Sequence, residues 1–135
     1  MPLLEWDETL SVGIAEMDQQ HRRWIDISNK LHDAMRQGRG DDVKVAMLNE
    51  LLAYTKVHFS DEERLMQEYA YPEFAAHKRL HESFTSEIMR FKTKLEAGRM
   101  VTSVTVGSFL KGWLLTHVMQ IDRKYGQFIC AGVEA

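Results

Sequence analysis

The chain has little that would interrupt a helix. Its 135 residues include only two prolines, Pro2 and Pro72, and eight glycines, grouped at a few places. Long windows therefore run without a helix breaker. No segment sustains the apolar–polar alternation of a half-buried strand, which argues against a sheet protein. The single cysteine, Cys130, cannot close an internal disulfide, which fits a reducing compartment and points to the cytoplasm. No apolar run approaches the roughly 20 residues needed to span a bilayer. Glu5 and Asp7 stand where an export signal needs a basic start and an apolar stretch. Neither export nor membrane insertion is expected. Cationic charge is not in excess either: 17 Lys and Arg face 20 Asp and Glu, for a formal net charge of −3. With no basic stripe along any segment, a nucleic-acid partner is not expected. Internal repeats and low-complexity tracts are lacking too, so the length points to one domain, residues 1–135, able to bury a core.

What the sequence does contain is helical periodicity. Four windows carry it, at about 18–37, 41–69, 73–97 and 102–121, preceded by an arm (1–17) and followed by a short helical tail (122–135). Asp18 reads as the N-cap of the first, whose stripe is His21, Trp24, Ile25, Ser28, Leu31 and Met35. "QGRGDD" breaks the chain before the second, with Leu48, Leu51, Tyr54, Thr55, His58, Glu62 and Leu65. The third alternates spacings of three and four through Phe74, His77, His81, Phe84, Ile88, Phe91 and Leu95, the seam of a helix packed in a bundle. The fourth carries Val106, Leu110, Trp113, Leu114, His117 and Ile121. Long helices joined by short turns predict an all-α fold, an up-down-up-down antiparallel four-helix bundle.

Histidine has the informative distribution. Five of the six lie in these apolar stripes, and every helix supplies at least one. A lone histidine on an apolar face is ordinarily a hydrogen-bonded core residue. Five buried imidazoles would each need a partner, and one shared metal site serves them all. Height along the bundle agrees. His21 stands near the start of the first helix, His58 near the end of the second, His77 and His81 near the start of the third, and His117 near the end of the fourth. Antiparallel packing brings these to one level. His32, eleven residues past His21, lies about 16 Å further along at 1.5 Å per residue, and reads as structural or surface. Among the acids of "HFSDEERLM", only Glu62 shares a face with His58. Asp61 and Glu63 lie about 100° to either side and read as solvated. Asp122, five residues after His117, is offset by about 140° in a regular α-helix. It can join the cluster only if the helix ends or carries a π-bulge.

In order, the motifs are His21, H-x-x-x-E (His58, Glu62), H-x-x-x-H (His77, His81) and H-x-x-x-x-D (His117, Asp122). Together, over essentially the whole chain, they resemble the hemerythrin family. The resemblance implies two non-haem irons with an oxo or hydroxo bridge. His77, His81 and His117 would bind one, His21 and His58 the other, and Glu62 and Asp122 would bridge them. Dioxygen would bind reversibly at the two-His iron, for storage, transport or delivery to an oxygen-consuming enzyme. A sensor or a peroxidase-type diiron enzyme is the alternative. A carrier's pocket has to be dry and small. Helical spacing from the ligands offers Trp24, Phe59, Trp113 and Leu114 as its walls. The eight methionines form no cluster and read as core filler. No self-complementary apolar patch is apparent, so a monomer is expected.

Overall fold

The computed structural model describes residues 3–38 and 40–134. Met1 and Pro2 of the expected arm, Arg39 of the expected break and Ala135 of the expected tail lie outside the described residues. After a 3-10 turn at Glu8–Leu10 come α1 (Ala15–Arg36), α2 (Asp41–Glu68), α3 (Phe74–Glu96) and α4 (Ser103–Thr116). A π-helical segment, His117–Asp122, then leads without a break into α5 (Arg123–Glu134). No strand occurs among the described residues. The connections between α1, α2, α3 and α4 are a few residues each, so successive long helices must run antiparallel. α1 packs on α2 and α4, and α2 packs on α3, closing the four-helix bundle. None of the described helices is long and apolar enough to cross a membrane.

The turns follow from local chemistry. After α3, Gly98 takes φ +73, the Arg99 amide donates to the Lys94 carbonyl at 2.8 Å and the Gly98 amide to Leu95 at 3.1 Å. This is the glycine-ended cap that satisfies the last carbonyls of a helix. α2 ends with the same bonds around Ala70, which accepts a left-handed φ of 51 without being glycine. The turn delivers Tyr71 to the core. At the other end of the chain α4 is capped by Thr102, whose hydroxyl accepts from the Thr105 amide at 3.1 Å.

One capping expectation is corrected. Helix α1 starts at Ala15, not at Asp18, and Asp18 lies within its first turn. Its carboxylate instead accepts from the Ser11 hydroxyl (2.6 Å) and the Val12 amide (2.9 Å). Gly13, at φ +81, turns the chain so sharply that the helix begins early and Asp18 faces back onto the arm. Leu4, Leu10 and Val12 of the arm are buried.

The half of the bundle remote from the histidines is ordinary core. Leu31 of α1, Leu48 and Leu51 of α2, Ile88 of α3 and Val106 and Leu110 of α4 have no measurable exposure. Each such side chain contributes about 1.5–3 kcal/mol on leaving water. His32 sits at this level, half-buried, as the height argument required. Its ring packs where Gly107 lets α4 approach α1, since a Cβ on Gly107 would come within 2.8 Å of it.

The arm crosses α5 at Gly126, where a Cβ would collide with the Val12 carbonyl oxygen, a backbone atom that cannot swing aside. Gly126→Ala must therefore push the arm from the bundle. The expected cost is about 1–3 kcal/mol, as for other overpacked sites, read from the urea unfolding midpoint.

Candidate metal centre

At one end of the bundle the four helices direct five imidazoles and two carboxylates inward. His21, His58, Glu62, His77, His81, His117 and Asp122 are all at most 3% exposed. One-turn spacing puts His58 Nε2 3.5 Å from Glu62 Oε2 and holds the rings of His77 and His81 4.6 Å apart. The π-segment does for the remaining pair what α-geometry cannot. Its wider i to i+5 turn brings Asp122 Oδ1 to 2.9 Å from His117 Nε2.

The donor atoms fall into two groups that share Glu62, and Asp122 of the first also reaches His21 of the second. In the first, His117 Nε2 lies 3.1 Å from His77 Nε2 and 3.2 Å from His81 Nε2. Glu62 Oε1 is 3.2 Å from His81 Nε2, and Asp122 Oδ1 is 2.9 Å from His77 Nε2. In the second, His21 Nε2 lies 3.1 Å from Glu62 Oε2 and 3.2 Å from Asp122 Oδ2, with His58 Nε2 beyond. Each carboxylate thus gives one oxygen to the three-histidine group and the other to the two-histidine group.

These contacts are too many and too mutual to be hydrogen bonds alone. Nitrogens facing one another at 3.1 Å cannot all be donors. His58 Nε2, Glu62 Oε1 and both Asp122 oxygens are buried without a properly directed hydrogen bond. Such orphaned atoms are rare and costly. Donors about 3 Å apart are spaced as neighbours around one ion at metal–nitrogen distances of about 2.1 Å. Neutral imidazole with carboxylate suits iron and the other first-row metals. The residues present fit a pair of metal ions.

Electrostatics of the metal-free chain point the same way. Burial opposes ionisation of Glu62 and Asp122, yet the surrounding histidines outweigh it and hold both below the usual carboxylate range. Burial likewise opposes a charge on His21, but the close carboxylates of Asp122 and Glu62 raise it to about 10. His58 has no such close carboxylate bond, and burial drops it to about 4. His117 is lowered by burial, while His81 is raised by Glu62 and Glu63 against it.

Around the cluster lies a set of partners that sequence periodicity did not reveal. His58 Nδ1 donates to Gln20 Oε1 at 2.6 Å, and Gln20 Nε2 donates to Asp61 at 3.0 Å. His81 Nδ1 donates to Glu63 Oε2 at 3.0 Å. Both bonds fix the tautomer that leaves Nε2 as a lone pair facing inward. Tyr125, fully buried on α5, donates its hydroxyl to Glu62 Oε2 at 2.7 Å. Burial and the nearby carboxylates hold that phenol well above its usual range, so it remains a donor. Asp61 and Glu63 are accordingly not merely solvated acids, and that reading is corrected. They flank Glu62 on the helix, and flanking an inward-facing residue also means facing the neighbouring helices that carry Gln20 and His81.

The four expected pocket residues surround the same end. Trp24 is wholly buried, its ring 5.4 Å from His58 and 6.5 Å from His21, on the two-histidine side. Phe59 stacks on His81 at 3.7 Å and Trp113 on His117 at 4.0 Å, so both cover rings of the three-histidine group. Leu114 is buried in the core beside them.

A four-helix bundle with a buried pair of histidine clusters that share carboxylates suits a non-haem di-iron site. The Hemerythrin HHE cation binding domain matches residues 12–129. The chain is 37% identical to a bacteriohemerythrin of Stenotrophomonas maltophilia (strain R551-3), over 97% of its own length and 84% of that protein. It is 32% identical to a bacteriohemerythrin of Methylococcus capsulatus (97% and 100% covered). With the myohemerythrin of Sipunculus nudus the identity is 30% (89% and 88%). A crystal structure of wild-type hemerythrin superposes with a TM-score of 0.85 at 31% identity, covering 93% of this chain and 96% of that one. The chain belongs to the hemerythrin family.

The raised value of His21 makes a prediction for the metal-free protein. A histidine at about 10 when folded and 6.5 when unfolded stabilises the fold fully below pH 6.5. That contribution is lost as the pH rises through 10. NMR titration of the metal-free chain should show His21 protonated through neutrality. In Asp122→Asn the midpoint should fall, and the decline of stability between pH 6.5 and 10 should flatten. An unchanged His21 midpoint would refute the assignment of its shift.

Proposed function

We propose that this chain binds dioxygen reversibly at a pair of non-haem irons, for storage, transport or delivery to oxygen-using proteins, with no net chemical turnover. One observation carries the reading: each of Glu62 and Asp122 presents one oxygen to each histidine group, the arrangement of two bridging carboxylates. In this reading His77, His81 and His117 would hold one iron and His21 and His58 the other. Glu62 and Asp122 would bridge them, with a solvent-derived oxygen between. The pair, when bound, supplies the two electrons that dioxygen needs to be held and later released.

The protein's own part is to orient donors and keep the site dry. Imidazoles bound to metal are neutral, so Glu62 and Asp122 are the only anions among the proposed side-chain ligands. Histidine-rich ligation supports a site that stops at binding. Ferritin-like diiron proteins instead draw on a carboxylate-rich set with Glu-x-x-His motifs. Trp24 closes the two-histidine side, where an unfilled coordination position is expected, and its bulk together with Phe59, Trp113 and Leu114 excludes water. Dryness protects such a site from proton-driven loss of the bound gas. The names of the relatives, bacteriohemerythrin and myohemerythrin, support a carrier over an enzyme. The reading extends to a monomeric single domain working in the cytoplasm, supported by the free Cys130.

Anaerobic protein loaded with Fe²⁺ is expected to be nearly colourless, to develop a visible charge-transfer band in air and to lose it on degassing, over repeated cycles. Irreversible conversion to a ferric form within the first cycles would sink the carrier reading. Metal analysis supplies the second test. Glu62→Ala should release iron from both positions, whereas Glu68→Ala, on the exposed end of the same helix, should keep the full complement. Equal iron in the two variants would remove Glu62 from the bridge.

A further inference from the structure

The two histidine groups differ in more than the number of their imidazoles. On the three-histidine side, His81 Nδ1 donates to a carboxylate, Glu63 Oε2, at 3.0 Å, and Glu63 is only 21% exposed. On the two-histidine side, His58 Nδ1 donates to a neutral amide, Gln20 Oε1, at 2.6 Å. The third partner breaks the symmetry of a shared ligand. Tyr125 Oη, fully buried, donates at 2.7 Å to Glu62 Oε2, the oxygen that faces His21 and His58. Glu62 Oε1, facing His81, receives nothing comparable.

Each contact has a known electronic sense. A carboxylate accepting from the far nitrogen of an imidazole makes the near nitrogen a stronger donor. A neutral amide does so less, even one whose own N–H donates to a carboxylate, as Gln20 does to Asp61 at 3.0 Å. A phenol donating to a carboxylate oxygen withdraws charge from it and weakens that oxygen as a ligand. All of these senses agree. Building on the diiron reading above, we infer that Glu63, Gln20 and Tyr125 are positioning residues that divide electron density unequally. They make the position held by His77, His81 and His117 electron-rich and the position held by His21 and His58 electron-poor. The two-histidine position would then favour the ferrous state, and the three-histidine position would give up its electron first.

The test is a redox titration of the iron-loaded full chain with a one-electron mediator that accepts each electron as Fe²⁺ becomes Fe³⁺. Iron content and helical circular dichroism are measured alongside. Glu63→Gln weakens donation from His81 and should raise the mean of the two potentials. Tyr125→Phe alters no formal charge but frees Glu62 Oε2 to donate more strongly, and should lower that mean. Gln20→Glu should lower it as well, through His58. In all three variants the gap between the first and second potentials should narrow, because each change moves one position toward the other. Outer-partner substitutions weaken metal binding by about 10–100-fold, so the pair should still fill at saturating Fe²⁺.

Shifts of the same sign in Glu63→Gln and Tyr125→Phe, or a gap that stays as in the wild type, would overturn the inference. So would a variant that keeps its helicity but cannot be filled, because these residues would then hold the metal rather than tune it. A wild-type chain that fails to take up two irons overturns the diiron reading itself, and this inference with it. Filled wild-type protein with indifferent variants overturns the inference alone.

Discussion

The structure depends on the sharing of two buried carboxylates. Glu62 and Asp122 have no exposure, and an isolated anion at such depth would be prohibitively costly. Neither is isolated. Histidine nitrogens of α1, α3 and the π-segment lie within 3.2 Å of both oxygens of each, and His58 of α2 lies 3.5 Å from Glu62. Every helix of the bundle is therefore tied to the same two charges, and none can shift along its axis without uncovering one of them. Apolar packing in the remote half sets the spacing of the helices. The carboxylates set their register.

That register makes demands on local geometry, and each is met differently. Regular α-helix is enough for His58 with Glu62 and for His77 with His81. It is not enough for His117 with Asp122, and there the backbone departs from α-geometry over six residues. A π-segment has poorer bonding than the helix it interrupts, so it survives where something repays the distortion. Here the return is a carboxylate delivered to three histidines. The same segment rotates the continuing helix so that Tyr125, three residues on, reaches Glu62. Gly126 then lets the arm lie directly over α5 and seal that corner.

Much of this was legible in the sequence, and for a physical reason. Apolar periodicity gave the four helices, and antiparallel packing then fixed heights, so five histidines at one end could be paired without coordinates. Asp122 was legible only as a condition, that the helix must break its α-period, and the π-segment is how it does. What periodicity could not give was the second layer. Gln20 and Glu63 sit next to His21 and Glu62 in sequence, yet they serve His58 and His81 across helix interfaces. Their identity depends on which neighbouring helix each flank of an inward-facing residue faces. Tyr125 stood in what read as a tail, and only continuity of the helix through the π-segment brings it to the site. Asp18 misled because its residue type suits an N-cap, while the left-handed turn at Gly13 moved the helix start ahead of it.

The second layer also changes what the aromatic walls accomplish. Phe59 and Trp113 lie flat on His81 and His117, and Trp24 fills the space beside His58. Covering the rings in this way limits water around the part-buried hydrogen bonds at Nδ1 and excludes it from the buried one at Glu62. In low dielectric a difference between a carboxylate and an amide partner is felt strongly, whereas in water it would be screened. A wet site with the same seven inner residues would lose most of the distinction between its two halves. The apolar shell and the outer polar partners are therefore one device: the partners create an asymmetry, and the dry walls preserve it.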